Sequence, residues 1–398
     1  MTRSSLTIIF ITVFIDLLGF GIVIPFLPLY AEHMGSTPFV ATLLGTAYAA
    51  TQFVFAPIWG RLSDRVGRRP VILGTLLASS GAYLLLGLAG SVAGLFAARL
   101  LAGIASGNIP TAQAYIADST PPERRAHGMG LIGAAFGLGF VLGPALSALM
   151  LWRWNNPALP AQVTAGLAAA NCLWAYFNLP ESLKPGGSAE GVGPAGRVRR
   201  MVRALRTPGL APLLALLFVI RFAFAALEWT FPIFLKRQFG FSFPQVGLLL
   251  AYTGVLMAVT QGLLVGRLVP VLGERAMVAL GTLVMALGFG LVAFAPNIRG
   301  LVAMATVLAV GAGLSSPSLT SLISQMGAAD AQGGLLGVGQ SLSSLAMIVG
   351  PAWGGFTFDH FGIQIPYLSS GALMAAACAI CLWTVRGRPL APAKAARP

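Results

Sequence analysis

Apolar runs of about 20 residues recur along the whole chain, each long enough to cross ~30 Å of hydrocarbon at about 1.5 Å of helical rise per residue. Twelve can be marked, at 7–30, 40–60, 70–90, 93–117, 128–150, 160–179, 210–236, 245–267, 275–296, 299–322, 334–358 and 366–386. A soluble amphipathic helix would show a polar stripe at helical spacing, and these runs do not. Only 9% of the residues are charged and 57% are hydrophobic, against about one-quarter charged in soluble domains. The expectation is an all-α membrane protein of twelve transmembrane helices.

A repeat divides that set. Gly60-Arg61-Leu62-Ser63-Asp64-Arg65-Val66-Gly67-Arg68-Arg69 joins the second run to the third. Gly266-Arg267-Leu268-Val269-Pro270-Val271-Leu272-Gly273-Glu274-Arg275 joins the eighth to the ninth, 206 residues later. A second pair follows at nearly the same offset: Gly139 to Gly143-Pro144, and Gly350-Pro351 with Gly354-Gly355. Two pseudo-symmetric six-helix halves account for both repeats. The expected organisation is an amino-terminal bundle over 1–180, a linker over 181–209, a carboxyl-terminal bundle over 210–388 and a tail over 389–398.

Orientation follows from the basic residues. If both termini are inside, the inner segments hold 19 of the 25 Lys and Arg, among them Arg61, Arg65, Arg68, Arg69, Arg124, Arg125, Arg267, Arg275 and the run from Arg197 to Arg206. The outer segments hold only Arg153, Lys236, Arg237 and Arg299, so an inside amino terminus is expected. The net charge of +14 is this topological bias, and no nucleic-acid partner is expected. The polar stretch from Pro180 to Thr207 reads as an inner linker, its basic second part suited to a short amphipathic helix on anionic lipid headgroups. The first run is too long for a signal peptide and no small-residue cleavage site follows it. Cys172, Cys378 and Cys381 lie inside spans, the last two with redox-type spacing but read as small apolar residues of a lipid-facing helix. No metal-spaced His cluster, nucleophile motif or nucleotide-binding loop is present, so neither an enzyme nor a cofactor is expected.

An ionisable group in hydrocarbon costs a few kcal/mol on insertion scales, so each needs a reason. Asp16 lies about 15 Å into the first span, near the midplane. Desolvation disfavours its charge, and hydration or a nearby cation restores it, which makes it a candidate to take and release a proton. The alternative is an Asp that bonds helix backbones or pairs permanently with Arg99. Arg99 sits in the fourth span with Gly103, Gly107 and Pro110 below it, as on a tightly packed, cavity-facing helix, although snorkelling is open to it. Arg221 and Glu228 are two turns apart on the seventh span, with Phe224 between them and Trp229 beside Glu228. A carboxylate among aromatic rings suits a lipophilic cation or a proton; an interfacial acid is the plain alternative. Further polar residues that can line a cavity are Tyr48, Gln52, Gln113, Asn171, Tyr252 and Gln261, each equally able to serve as an interhelical hydrogen bond. The glycines and prolines of the fifth and eleventh spans (Gly139, Gly143, Pro144; Gly350, Pro351) form small-residue ridges with a bend, suited to close packing of those two helices.

Taken together, these motifs resemble the major facilitator superfamily over nearly the whole chain. The loop from Gly60 to Arg69 is similar to its signature loop. Arg99, Gly103, Gly107 and Pro110 are similar to the fourth-helix motif of proton-driven members, and Gly139, Gly143 and Pro144 to the fifth-helix antiporter motif. Asp16, Gly19, Gly21 and Pro25 resemble the first-helix motif of twelve-span drug:proton antiporters. Glu228, Gln261-Gly262 and Gly273-Glu274 resemble the tetracycline-resistance branch and its multidrug relatives. The resemblance implies a proton-coupled exporter of lipophilic small molecules, monomeric, in a bacterial cytoplasmic membrane and driven by the proton gradient. Asp16, Glu228 and Arg99 would couple the proton. Gly60, Arg61, Asp64, Gly67, Arg68 and Asp118 would form a conformational latch, with Asp64 capping the eleventh span at Gly333 and Gly334. An uptake or metabolite carrier, a lipid flippase or a transport-dead sensor on the same fold are the alternatives. Two departures stand out. The third, eighth and ninth spans lack the extra carboxylates and the histidine of members that export tetracycline as a metal chelate, and Pro270 replaces the acidic residue of the loop in the second half.

Overall fold

A computed structural model describes residues 3–120, 122–183, 210–326 and 332–387. Every expected span falls on a helix. In chain order these are α1 (Arg3–Val23), α2 (Leu27–His33), α3 (Pro38–Val66), α4 (Arg68–Leu88), α5 (Val92–Ala105), α6 (Asn108–Ser119), α7 (Pro122–Trp154) and α8 (Leu159–Asn178). After the linker come α9 (Leu210–Phe239), α10 (Phe243–Val259), a π-helical turn (Thr260–Val265), α11 (Gly266–Val292), α12 (Ile298–Gln325), α13 (Gln332–His360) and α14 (Ile365–Gly387). Nine segments among the described residues are long and apolar enough to cross a bilayer. One of them, Phe243–Val292, covers both the eighth and the ninth expected spans, because the helix passes through the repeated loop with a kink at Gly273 (φ +79°). The linker's expected amphipathic helix lies outside the described residues.

Local chemistry explains the breaks. Pro25 interrupts the first span between α1 and α2, and Pro110, which has no N–H for the Ser106 carbonyl, accompanies the break between α5 and α6. Several helices begin on side-chain caps: Thr37 accepts from the Val40 N–H at 3.3 Å, Ser91 from Gly94 at 3.2 Å and Asn297 from Gly300 at 2.9 Å.

The chain packs as two compact units. Among the described residues, the first contains those up to 183 with 224–255 and 343–366; the second contains 210–223, those within 256–342 and 367–387. In the first unit, α7 lies along α1 so closely that a Cβ on Gly143 would stand 2.6 Å from the Gly21 Cα, and one on Gly139 2.9 Å from the Leu17 carbonyl. The next stretch of α7, at Phe140, Pro144 and Ala148, meets Gly247 and Gly254 of α10. The glycines of α13 meet other partners: Gly354 faces Ala226 and Thr230 of α9, and Gly355 faces Phe39 and Thr42 of α3. The expected pairing of the fifth span with the eleventh is thus replaced by fifth with first and eighth, and eleventh with second and seventh. Small residues mark a close approach without naming the partner. In the second unit, Gly281 and Gly288 of α11 fit against Gly311, Ser315 and Leu308 of α12. Cys378 and Cys381 of α14 are buried there, their thiols directed at the carbonyls of Ala279 (3.4 Å) and Arg275 (3.9 Å), so that they face protein rather than lipid.

Candidate functional site

Arg99 is the largest fully buried side chain of the first unit, at 1% exposure. It therefore does not snorkel. Its guanidinium lies 4.2 Å from the centroid of the Tyr48 ring and 5.8 Å from that of Trp229, a cation held by two aromatic faces. None of its three nitrogens has a hydrogen-bond partner among the described residues, and Glu228 supplies the nearby opposite charge. Glycines bring these groups together. A Cβ at Gly45 would fall on the Trp229 indole, and one at Gly103 on Thr51 and the Tyr48 carbonyl. Gln52 donates to the Tyr48 hydroxyl at 3.3 Å, one turn along α3.

The break in the fourth span lies just below. Trp59 packs its ring on Gly107 and donates its indole N–H to the Ile104 carbonyl at 2.5 Å, satisfying a group that the break leaves open. Asn108, the first residue of α6, stands against the Asp16 carboxyl. Asp16, Tyr48, Arg99, Asn108, Glu228 and Trp229 thus share one unit, with Asp16 and Arg99 both acting on Tyr48. Arg221 belongs to the other unit, although it is on the same helix as Glu228. Asn171 is buried and donates to the Thr12 carbonyl at 2.8 Å, a bond between the sixth and first spans rather than a cavity position. Gln113 and Tyr252 are exposed, Phe224 is half-buried, and Gln261 lines a separate cavity described below.

At the end of the first unit that carries the Arg-rich loop, Arg68 is the centre. It is 5% exposed, and contacts Asp64 at 2.5 Å, Asp118 at 2.8 Å and the Ser63 hydroxyl at 2.7 Å. Arg68, not Arg61, pairs with Asp118; Arg61 donates to the Pro57 carbonyl at 3.3 Å. Gly60 is an ordinary helical residue within α3, so the reversal rests on Gly67 alone, at φ +111°. Gly333 and Gly334, the expected partners of Asp64, fall outside the residues whose packing is described. Glu181 completes the junction. Its carboxylate accepts from the N–H groups of Arg68 (2.9 Å), Arg69 (3.1 Å), Ser182 (2.9 Å) and Leu183 (3.0 Å), capping α4 from the end of the sixth span. Partial burial works to raise its pKa, but the four N–H donors outweigh that and hold it below the usual glutamate range.

The opposite end of the same unit has its own fastenings. Glu32, at the end of α2, is 8% exposed and pairs with Arg237 at 2.9 Å and Lys236 at 3.6 Å. The Phe39 N–H donates to Asp359 at 3.1 Å, and the Thr46 hydroxyl to the Ile348 carbonyl at 2.8 Å. These bonds join the first and second spans to the seventh and eleventh. In the second unit, Glu274 accepts from Ser321 at 2.5 Å and from Gln325 at 2.7 Å.

Residues 9–269 and 213–398 match the family model of the Major Facilitator Superfamily. The chain belongs to this superfamily. Among its relatives is the class C tetracycline resistance protein of Escherichia coli, 33% identical over 355 residues, or 88% of each chain. Multidrug resistance protein 2 of Bacillus subtilis (strain 168) is 29% identical across 94% of this chain and 93% of its own length. The crystal structure of the human organic anion transporter MFSD10 covers 95% of this chain and 99% of its own, with 27% identity and a TM-score of 0.71. This superfamily member therefore groups with the tetracycline- and multidrug-resistance branch of membrane transporters. Glu32, Trp59, Asn108 and Glu181 were not legible as site residues in the sequence. Only Glu181 carried a signal, as the acid that opens the linker beside Pro180, and nothing in its spacing points to the α4 terminus.

Proposed function

We propose that this chain is a proton-coupled exporter of lipophilic small molecules that works by alternating access in a cytoplasmic membrane, with both termini inside. One observation carries the reading: a carboxyl (Asp16, deep in the first span) and a fully buried guanidinium (Arg99, two turns into the fourth) belong to the same unit, and both lie near Tyr48. Asp16 is the acid of this set, and a substrate or helix movement that changes its surroundings moves it between ionised and protonated forms, so that binding and protonation become alternatives at one site. The bonds of Glu32, Phe39 and Thr46 support an arrangement fastened at the outer end, one of the two closed forms that alternating access requires. In reconstituted vesicles, a pH gradient should drive ethidium movement with the native chain and not with Asp16→Asn, which keeps the shape and loses the titrating proton. Equal transport by both would refute Asp16 as the carrier.

The buried Arg99 favours a second substrate class. A guanidinium whose nitrogens lack hydrogen-bond partners among the described residues suits an organic anion, the class named for the human relative. Competition between ethidium and a carboxylated dye of similar size separates the two: inhibition by the anion that disappears in Arg99→Lys favours the anionic reading.

A further inference from the structure

The second unit carries a polar surface that the cluster around Arg99 does not use. Ser316, Thr320 and Ser324 repeat along one face of α12, with Ser321 beside them, and Gln261 of the π-helical turn lines the same cavity of about 480 Å³. A face turned to lipid would be apolar, and polar side chains grouped within a span mark a substrate path or a water-filled cavity. Gln261 and Thr320 are both exposed. The π-turn that presents Gln261 is a wider helical form found mostly at functional positions. It is held close to α12 by Gly313, where a Cβ would stand 2.7 Å from the Thr260 side chain.

The direction of the hydrogen bonds gives this surface a preference. Thr320 spends its proton on the Ser316 carbonyl at 3.0 Å, and Ser321 spends its own on the Glu274 carboxylate at 2.5 Å. Both hydroxyl oxygens therefore offer only acceptor capacity to whatever enters the cavity, although Ser321 already accepts from Gln325 at 3.4 Å, and Glu274 makes the Ser321 oxygen a stronger acceptor. The Gln261 amide and the Ser316 and Ser324 hydroxyls can both donate and accept. The fixed acceptors of the wall are Thr320 and Ser321, and fixed acceptors select donors.

We infer that this wall docks the polar end of a lipophilic substrate that carries N–H or O–H donors, with Gln261 and Thr320 as the discriminating contacts. The inference rests on the export reading and names the substrate feature that export would select. The test uses ethidium and its analogue in which both exocyclic amines are dimethylated, two dyes of equal charge that differ in N–H donors. Binding is measured by fluorescence on the purified full chain, and efflux is measured in proteoliposomes. The native chain should bind ethidium about tenfold more tightly than the analogue, the worth of about one to two retained hydrogen bonds. Thr320→Val and Gln261→Leu should remove that preference by weakening ethidium alone, and Thr320→Ser should keep it; unchanged binding of the analogue shows that the variants are folded. A native chain that binds both dyes equally or binds neither, or variants that weaken both alike, would overturn the inference. Preferential binding without proton-driven efflux of either dye would instead overturn the export reading and leave the docking site standing.

Discussion

Arg68 and Glu274 hold the same place in the repeated loop, each directly after a glycine of positive φ, and they carry opposite charge. Arg68 donates to Asp64 and Asp118; Glu274 accepts from Ser321 and Gln325. One backbone turn is therefore fastened ion to ion in the first half and ion to dipole in the second. Pro270, standing where the first half has Asp64, fits this inversion, since an acid there would repel Glu274 rather than pair with it.

The two fastenings should differ in strength. Arg68→Ala strands two carboxylates that are 23% and 30% exposed. Loss of one partner of a fully buried pair costs about 3–5 kcal/mol, so about 2 kcal/mol is expected for this half-exposed set. Glu274→Gln keeps the shape and weakens two hydrogen bonds, for about 1 kcal/mol. Thermal melts in detergent compare them, and an equal loss would contradict the ion-to-ion account. Added salt should lower the stability of the native chain more than that of Arg68→Ala, whose exposed Asp64 and Asp118 have no pair left to screen.

Gly143→Val should be the most damaging small change in α7. Its side chain would be driven into the Gly21 backbone, and helix backbones do not yield as side chains do. Overpacking of this kind costs about 1–3 kcal/mol or forces the first span away. Gly137→Val, on the same helix with open space around its Cβ, is the matched control and should melt like the native chain.

Glu181 should set an acid limit on the junction it caps. Its pKa in the folded chain is depressed, so its contribution is complete above the usual glutamate range and is lost as pH falls through the lower, folded value. Limited proteolysis at the start of the linker should stay constant down to that usual range and rise only beneath it. In Glu181→Gln the site should be cut readily at neutral pH, with no further rise on acidification.

Glu32→Gln should loosen the opposite end. The carboxylate serves both Arg237 and Lys236, and the amide cannot pair with either charge. Spin labels at the exposed His33 and Gln238 should report a broader, longer distance distribution in the variant. An unchanged distribution would leave Phe39 and Thr46 as sufficient fasteners.

Much of this was legible in the sequence, and the rest was hidden for physical reasons. Hydropathy places a helix under every span because the bilayer dictates length and composition together. The loop's short length limits where the chain can reverse and which arginines can reach Asp118, but the choice of Gly67 over Gly60 and of Arg68 over Arg61 needed the structure. Partner choice was less visible. Gly139 and Gly143 announce a close contact, but a glycine has no side chain with which to name its neighbour, and the neighbour proved to be the first span. Glu181 and Glu32 were opaque because each acts across a long sequence separation, Glu181 on the backbone N–H groups of Arg68 and Arg69 and Glu32 on Arg237. Asn171 looked like any polar residue in a span until its partner, a main-chain carbonyl, was seen.

The break between α5 and α6 changes what the fourth span can transmit. A continuous helix is a rod, and a tilt at one end reappears undiminished at the other. Here the rod has a joint at Ser106–Gly107, bridged from outside by the Trp59 indole on the Ile104 carbonyl. Arg99 lies above the joint, and Asp118, tied to Arg68, lies below it. The guanidinium seated against Tyr48 and the Asp118–Arg68 pair are therefore carried on separate arms of one span, with the Trp59 side chain bonded across the joint between them.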